Sequence, residues 1–149
     1  TGRHTFSTMC TTRTDHFFKS VFPAFSDGTI ITGKTSNLLG ASSALILNAL
    51  KYFGEIDNDT LLMSPDVIEP IQNLKVQHLG NNNPRIHTDE TLIALSICAN
   101  TDPNAKKAME QLSKLRGCEV HSTVILSQVD ERTFKRLGIN LTCEPKYQA

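Results

Sequence analysis

The chain has 149 residues, 39% of them hydrophobic and 20% charged, which is ordinary for a globular protein long enough to bury one core. Its 15 basic and 15 acidic residues balance, which argues against nucleic acid or an anionic membrane surface as a partner. The longest clear apolar run, residues 44–47, is far too short to cross a bilayer, so we expect no membrane contact.

The first predicted elements form a β-hairpin. Residues 1–16 are rich in Thr and Arg and poor in apolar residues, and we expect a poorly ordered arm or an added strand there. Residues 17–25 are apolar and aromatic, with Pro23 indicating an edge strand or a bulge. Residues 29–32 predict the partner strand, and Ser26-Asp27-Gly28 predicts the turn between the two.

The same region also fits the pattern of a phosphate-binding loop. Residues 28–35 read Gly-Thr-Ile-Ile-Thr-Gly-Lys-Thr and match G-x-x-x-x-G-K-[ST] at every fixed position. A phosphate loop curls its backbone amides around the phosphates, whereas the residues between these glycines are all β-branched and favour an extended strand. We therefore favour a strand that leads through Gly33-Lys34-Thr35 into a helix.

Residues 36–53 predict a helix that is apolar most of the way round and therefore buried. Ser36 or Asn37 is placed to cap its start, and Gly54 is placed for a left-handed cap at its end. Its first turns are small residues. They favour close packing against a sheet over the alternative, an anion bound at the helix N-terminus.

Further elements follow in alternation. Residues 61–63 predict a short strand, and Ser64-Pro65 opens a helix in which Pro70 predicts a kink or a broken start. The later predicted elements are helices beginning at Thr88 and at Asp102-Pro103, a strand over residues 119–126, a helix from Ser127 to Gly138 and a strand over residues 139–143.

The order of these elements predicts the fold class. Strands that alternate with helices predict an α/β protein, with helices layered on a mixed β-sheet and a single domain over residues 17–149.

The four cysteines lack metal-binding spacing, so we interpret Cys98 and Cys143 as small buried hydrophobic residues and expect a reducing cytoplasm.

Eight segments occur in a characteristic order: Asp27-Gly28-Thr29-Ile30-Ile31-Thr32-Gly33-Lys34, Glu69-Pro70-Ile71-Gln72-Asn73-Leu74-Lys75, His78-Leu79-Gly80, Asn83-Pro84-Arg85, Ile93-Ala94-Leu95, Leu115-Arg116-Gly117, His121-Ser122-Thr123 and Leu137-Gly138-Ile139-Asn140. With these segments, residues 17–149 resemble the C-terminal part of a mainly bacterial family, domain of unknown function 1846. The resemblance implies that a larger N-terminal part is missing and is the domain's partner. It also implies a separate glycine-rich loop in that part, and asparagine in the relatives where this chain has Thr35. The family supplies no reaction and no catalytic residue.

The layout of hairpin, buried helix, short strand and Ser-Pro helix is similar to that of cytidine-deaminase-like domains. Their zinc site needs a His or Cys with a Glu on the buried helix, and two cysteines at the start of the later helix. Residues 39–43 and 64–67 contain none of these ligands. The similarity therefore concerns the fold alone, and we predict neither a metal nor another cofactor.

Five residues are candidate ligand-binding residues: Lys34, Thr35, Ser36, Arg116 and His121. Lys34 lies at a strand-to-helix junction, where α/β domains commonly bind phosphate, and Arg116 precedes the strongest predicted strand. His121 has the chemistry of a general base or a phosphate contact, although we favour a half-buried strand histidine that is hydrogen-bonded to a neighbour.

His87, Asp89 and Glu90 form a second polar group with two interpretations. They are suited to an acid–base pair or a metal site, but helix capping explains the same residues without chemistry, and we favour it.

Two hypotheses for function remain open. The first is a domain that binds a phosphorylated or nucleotide-like small molecule. The second is a non-catalytic module that packs against the missing N-terminal part and builds an oligomer, because fold class alone does not choose between them.

Overall fold

The computed structural model of the protein describes residues 7–9, 17–21, 30–122 and 125–143. Within these ranges the chain is an α/β protein, as predicted. Its strands are β1 (Ser7–Met9), β2 (Phe17–Val21), β3 (Ile30–Lys34), β4 (Glu119–Ser122) and β5 (Asn140–Cys143). Its helices are α1 (Ala41–Phe53), α2 (Pro65–Gln77), α3 (Thr88–Cys98), α4 (Pro103–Met109), a short 3-10 helix (Leu112–Leu115) and α5 (Gln128–Arg136).

The sheet is mixed. β2 pairs antiparallel with β1, β3 and β4, and β4 pairs parallel with β5. Phe18 lies opposite both Gly33 and Ser122. β3, β4 and β5 therefore run in the same direction and end at the same edge of the sheet, with β2 between β3 and β4.

The predicted hairpin strands are confirmed by the pairing of β2 with β3. The ladder runs from Phe17 opposite Lys34 to Val21 opposite Ile30. The predicted turn over residues 26–28 lies outside the described residues, as does the predicted arm apart from β1.

The second half of the phosphate-loop pattern is extended. Ile30–Lys34 is a strand paired along its length, which confirms the β-branched interpretation. A side-chain carbon at Gly33 would overlap the backbone of α1, at the Ala41 carbonyl and the Leu45 amide. Gly33 therefore lets the helix backbone lie directly on the strand, and this confirms the predicted close packing against the sheet at Ala41.

The start of α1 differs from the prediction. Helix α1 begins at Ala41 with Gly40 as its N-cap, not at residue 36. The Ser36 hydroxyl instead accepts hydrogen bonds from the backbone N–H groups of Leu38 and Leu39, at 3.2 and 3.1 Å. Ser36 therefore closes a turn, because serine stabilises turns and helix starts by the same kind of bond.

The end of α1 also differs from the prediction. Gly54 has an ordinary right-handed conformation with φ of −85°, and Glu55 adopts the left-handed one with φ of 55°. The prediction of a strand over residues 61–63 is wrong, because residue 61 is irregular and residues 62 and 63 form bends. Leu62 and Met63 are buried, so their apolar pattern reflects burial in irregular structure. Helix α2 runs unbroken through Pro70.

The core lies between α1, the sheet and helices α3 to α5. Leu45, Ile46 and Leu50 of α1 are fully buried, as are Leu95 of α3 and Phe134 of α5. Each such side chain contributes about 1.5–3 kcal/mol through burial.

Helix α2 contributes one fully buried apolar side chain, Ile68, whereas α1 contributes several. It is therefore attached mainly at its first turns and through polar contacts. No helix in the described part of the chain is long and apolar enough to span a membrane.

Candidate functional site

Lys34, Thr35 and Ser36 lie together where β3 ends. Lys34 is exposed and points to the face of the sheet opposite α1, because its neighbour Gly33 faces that helix. The ends of β4 and β5 lie at the same edge of the sheet. Three of the five predicted site residues are therefore adjacent at a strand edge.

His121 shares the outward face of the sheet with Lys34, but β2 lies between their strands. With two strand spacings, their backbones are roughly 10 Å apart. The His121 Nδ1 lies 2.7 Å from the Thr142 hydroxyl on β5, and the side chain is half-buried. This is the hydrogen-bonded strand histidine that the sequence favoured.

Arg116 lies at the opposite edge of the sheet. It precedes the start of β4, whereas Lys34 lies beside the end of that strand, so the two are separated by at least roughly 10 Å of strand. The stem of Arg116 packs against Gly138, and the Gly117 N–H donates to the Gly138 carbonyl at 2.8 Å. The structure therefore does not bring Arg116 together with the other candidates.

A cavity of about 250 Å³ lies between α1, the start of α2 and the segments 36–39 and 61–63. Ser36 is the one predicted site residue on its wall. The remaining lining is mainly apolar and includes Leu39, Leu47, Met63 and Ile68. The cavity is therefore separate from the outward sheet face that carries Lys34 and His121.

Lys51 is the buried charged group of this cavity. Its residue surface is 8% exposed, and its Nζ donates to the Asn58 carbonyl at 3.2 Å. Burial lowers the pKa of Lys51, and the carboxylates of Asp59 and Asp57 act against that shift. Sequence reasoning missed Lys51 because it lies in an apolar helix. The sequence did carry a signal for it, because Lys51 lies three residues after Asn48 and four after Leu47 and therefore shares a helix face with both.

A partly buried ionic cluster joins α2, α3 and α5. The Lys75 ammonium donates to Glu90 Oε1 at 2.8 Å and to the Arg85 carbonyl at 2.7 Å. The same Glu90 oxygen accepts the His87 backbone N–H at 2.9 Å. Glu90 therefore caps α3 and fixes the end of α2 at the same time, which agrees with the capping interpretation.

Asp130 completes the cluster from α5. Its Oδ1 accepts the Thr88 N–H at 3.0 Å and the Thr88 hydroxyl at 2.9 Å, and its Oδ2 lies 3.8 Å from His87 Nδ1. The Asp130 carboxylate raises the pKa of His87. Burial alone would raise the pKa of Asp130, but its interactions with His87 and Thr88 outweigh burial and lower it.

The cluster is organised as a structural connection between helices. Asp89, its third predicted member, is exposed and accepts its neighbour's backbone N–H. Asp130 was missed, because its sequence signal, a position three after the cap Ser127, shows no link to His87. Within the described ranges, no three His, Cys, Asp or Glu residues lie together as metal ligands. Cys98 is half-buried and Cys143 is exposed, contrary to the prediction that both are buried, whereas Cys118 is buried.

The sequence profile described as "Domain of unknown function DUF1846, C-terminal" matches residues 12–149. The chain belongs to this family. It is 60% identical over 122 residues to a UPF0371 protein of Corynebacterium diphtheriae, across 82% of the chain and 24% of that protein. It is 50% identical over 122 residues to a UPF0371 protein of Streptococcus pyogenes, across 82% of the chain and 25% of that protein.

These matches confirm the family resemblance that the segment order indicated. The chain spans about a quarter of the length of the curated relatives it matches, so family members are larger proteins that contain this domain. The names of these relatives state no reaction, ligand or partner.

Proposed function

We propose that this domain is a non-catalytic module that packs against another part of the longer polypeptide in which the family occurs. The observation that supports this most directly is a set of exposed apolar side chains on α2, on α3 and in the turn after α2. Its members are large side chains with 44–63% exposure: Leu74, Val76, Leu79, Ile93 and Ile97. We call this set the α2–α3 surface.

The ion pair of Lys75 with Glu90 brings the second half of α2 to the first turn of α3. Ile93 and Ile97 are four residues apart and share one face of α3, whereas Leu74 and Val76 lie on opposite flanks of the buried Lys75. Single exposed apolar residues are common, but several on two helices joined by an ion pair are more typical of an interaction surface.

The proposed occupant is the part of the family polypeptide outside the matched region. The relatives are about four times as long as the matched segment, and a partner surface on the rest of that polypeptide would be held at high effective concentration by the covalent link. The weak anchoring of α2, with Ile68 as its buried apolar side chain, also favours a helix that completes its packing against a second unit.

The test replaces Ile97 by glutamate in the longer protein. Because a carboxylate is costly to bury in an apolar contact, Ile97→Glu is expected to lower the thermal midpoint by several degrees. Ser96→Glu is the matched control, since Ser96 is an exposed neighbour on the same helix and gains the same charge. Equal midpoints for the two variants would show that Ile97 contacts no partner and would reject the proposal.

A second candidate function is binding of a phosphorylated or nucleotide-like small molecule by Lys34, Thr35 and Ser36, with His121 on the same sheet face. The gathering of the ends of β3, β4 and β5 at one edge favours this function, because α/β domains bind ligands at the carboxyl ends of their strands. Arg116 is too distant to take part.

A thermal-shift screen with nucleotides and sugar phosphates tests this candidate. A stabilising shift that disappears in Lys34→Ala and persists in the exposed-lysine control Lys106→Ala would support it. The absence of a shift with every compound would reject it.

A cytidine-deaminase-like arrangement is supported by the order β2, β3, α1 and α2, although residues 61–63 lack the expected strand. Homo-oligomer formation is the second part of the module proposal and is measurable by light scattering on the longer protein. A cytoplasmic location is proposed from cysteine usage and is testable by fractionation.

A further inference from the structure

We infer that the cavity between α1 and α2 is a binding site for a small molecule with a compact apolar body and a carboxylate that pairs with Lys51. This inference is independent of the packing role, because the cavity wall is formed by residues outside the α2–α3 surface.

The cavity is open to solvent. Leu61 and Ser36 lie on its wall, and both are exposed, with Leu61 at 68%. A small molecule can therefore enter at this end without separation of α1 from α2.

The volume of the cavity suits a small ligand. Protein interiors are close-packed, and voids much larger than one water molecule are few. A space of about 250 Å³ lined by Leu39, Leu47, Leu62 and Met63 holds several waters poorly, because apolar walls offer them few hydrogen bonds. The volume lies just below the usual range of ligand pockets, roughly 300–1,000 Å³. It suits a compact ligand and is too small for a nucleotide triphosphate.

The Lys51 ammonium is the polar group that would recognise the ligand. Ala44, Leu47, Asn48 and Lys51 recur at helical spacing and present one face of α1 to the cavity. The Lys51 ammonium carries three N–H donors, and in the described structure one of them is used by the Asn58 carbonyl. Burial is the largest influence on the pKa of Lys51 and lowers it, and the carboxylates of Asp59 and Asp57 offset that effect only in part, so the ammonium remains short of counter-charge. A ligand carboxylate would accept the remaining donors and offset the burial of the charge.

Octanoate is the probe, and neutral octanol is its apolar match. Calorimetric titration of the full chain is expected to show saturable octanoate binding that weakens about tenfold in Lys51→Met, since a hydrogen bond to a charged group is lost. Octanol binding is expected to stay unchanged. Lys106→Met, at an exposed position on α4, is the matched control and should bind octanoate as the unmodified chain does.

A second variant keeps the test informative if Lys51→Met folds poorly. Ala44 lies on the cavity wall, so Ala44→Leu fills the space without removing a hydrogen bond, and it should abolish binding of both probes while the protein still unfolds cooperatively. Absent octanoate binding would overturn the inference, as would unchanged binding in either variant. So would a cavity filled by another segment of the polypeptide in the longer protein.

Discussion

Gly33 lies in β3 at the point where the backbone of α1 crosses the strand. Its missing side chain leaves room for the Ala41 carbonyl and the Leu45 amide, which are backbone groups and cannot turn aside. The same glycine is the second fixed glycine of the phosphate-loop pattern. In this chain its position is explained by helix–strand contact, without a ligand.

Substitution at Gly33 tests that explanation. Gly33→Ala is expected to lower the free energy of unfolding by about 1–3 kcal/mol, because α1 must move away from the strand. Gly40→Ser is the control, since a side chain there meets nothing closer than 3.9 Å and serine is a favourable N-cap. Urea denaturation measures both. If Gly33→Ala were as stable as Gly40→Ser, the close-packing role would be wrong.

The sequence predicted individual residues well where the local pattern has one physical meaning. The β-branched residues before Gly33 predicted a strand, and β3 confirms it. Ser36 was misassigned because its hydroxyl can cap a turn or a helix by the same bond. The grouping of Arg116 with Lys34 failed for a different reason. Strand direction and neighbour order decide which edge each residue occupies, and a single sequence does not encode them locally.

At the scale of elements, helices α3 and α5 are joined through His87 and Asp130. The pKa of His87 is raised from its ordinary value of about 6.5, so its contribution to stability is complete below that pH and is lost as the pH rises through the folded-state pKa. The pKa of Asp130 is lowered, so its contribution is complete above about 3.9 and is lost as the pH falls through its folded-state pKa.

The pair therefore stabilises the fold most between about pH 4 and pH 6.5. NMR titration of His87 should show a raised pKa that returns toward its ordinary value in Asp130→Asn. Glu131→Gln, at the exposed neighbouring position on α5, should leave the titration nearly unchanged. A His87 pKa that is the same with and without the Asp130 carboxylate would contradict the pairing.

Element prediction succeeded for strongly marked starts and failed for short apolar runs. Ser64-Pro65, Asp102-Pro103 and Ser127 all begin helices as predicted, because first-turn and cap chemistry act locally. The side chains of Asp102 and Ser127 accept the expected capping bonds, whereas Ser64 makes none and Pro65 marks that start. Residues 61–63 were predicted as a strand, yet they are irregular and partly form a cavity wall. A run of three apolar residues records burial and does not distinguish a strand from irregular structure.

At the scale of the whole molecule, the α/β class and the family were both predictable, since each depends on the order of many segments. The α2–α3 surface was not predictable from the sequence. Ile93 and Ile97 belong to a helix that is strongly apolar in sequence, and their 61% and 63% exposure depends on what α3 packs against. The Lys51 cavity was equally hidden, because it requires α2 to lie over α1.

The central claim is that the α2–α3 surface is covered in the longer family protein. Hydroxyl-radical footprinting read by mass spectrometry, normalised for the intrinsic reactivity of each residue type, measures this directly. We expect Leu74, Ile93 and Ile97 to be oxidised several-fold more slowly than the exposed reference residues Arg132 and Lys135 on α5. Oxidation of the three apolar side chains at the normalised rate of the reference residues would contradict the claim.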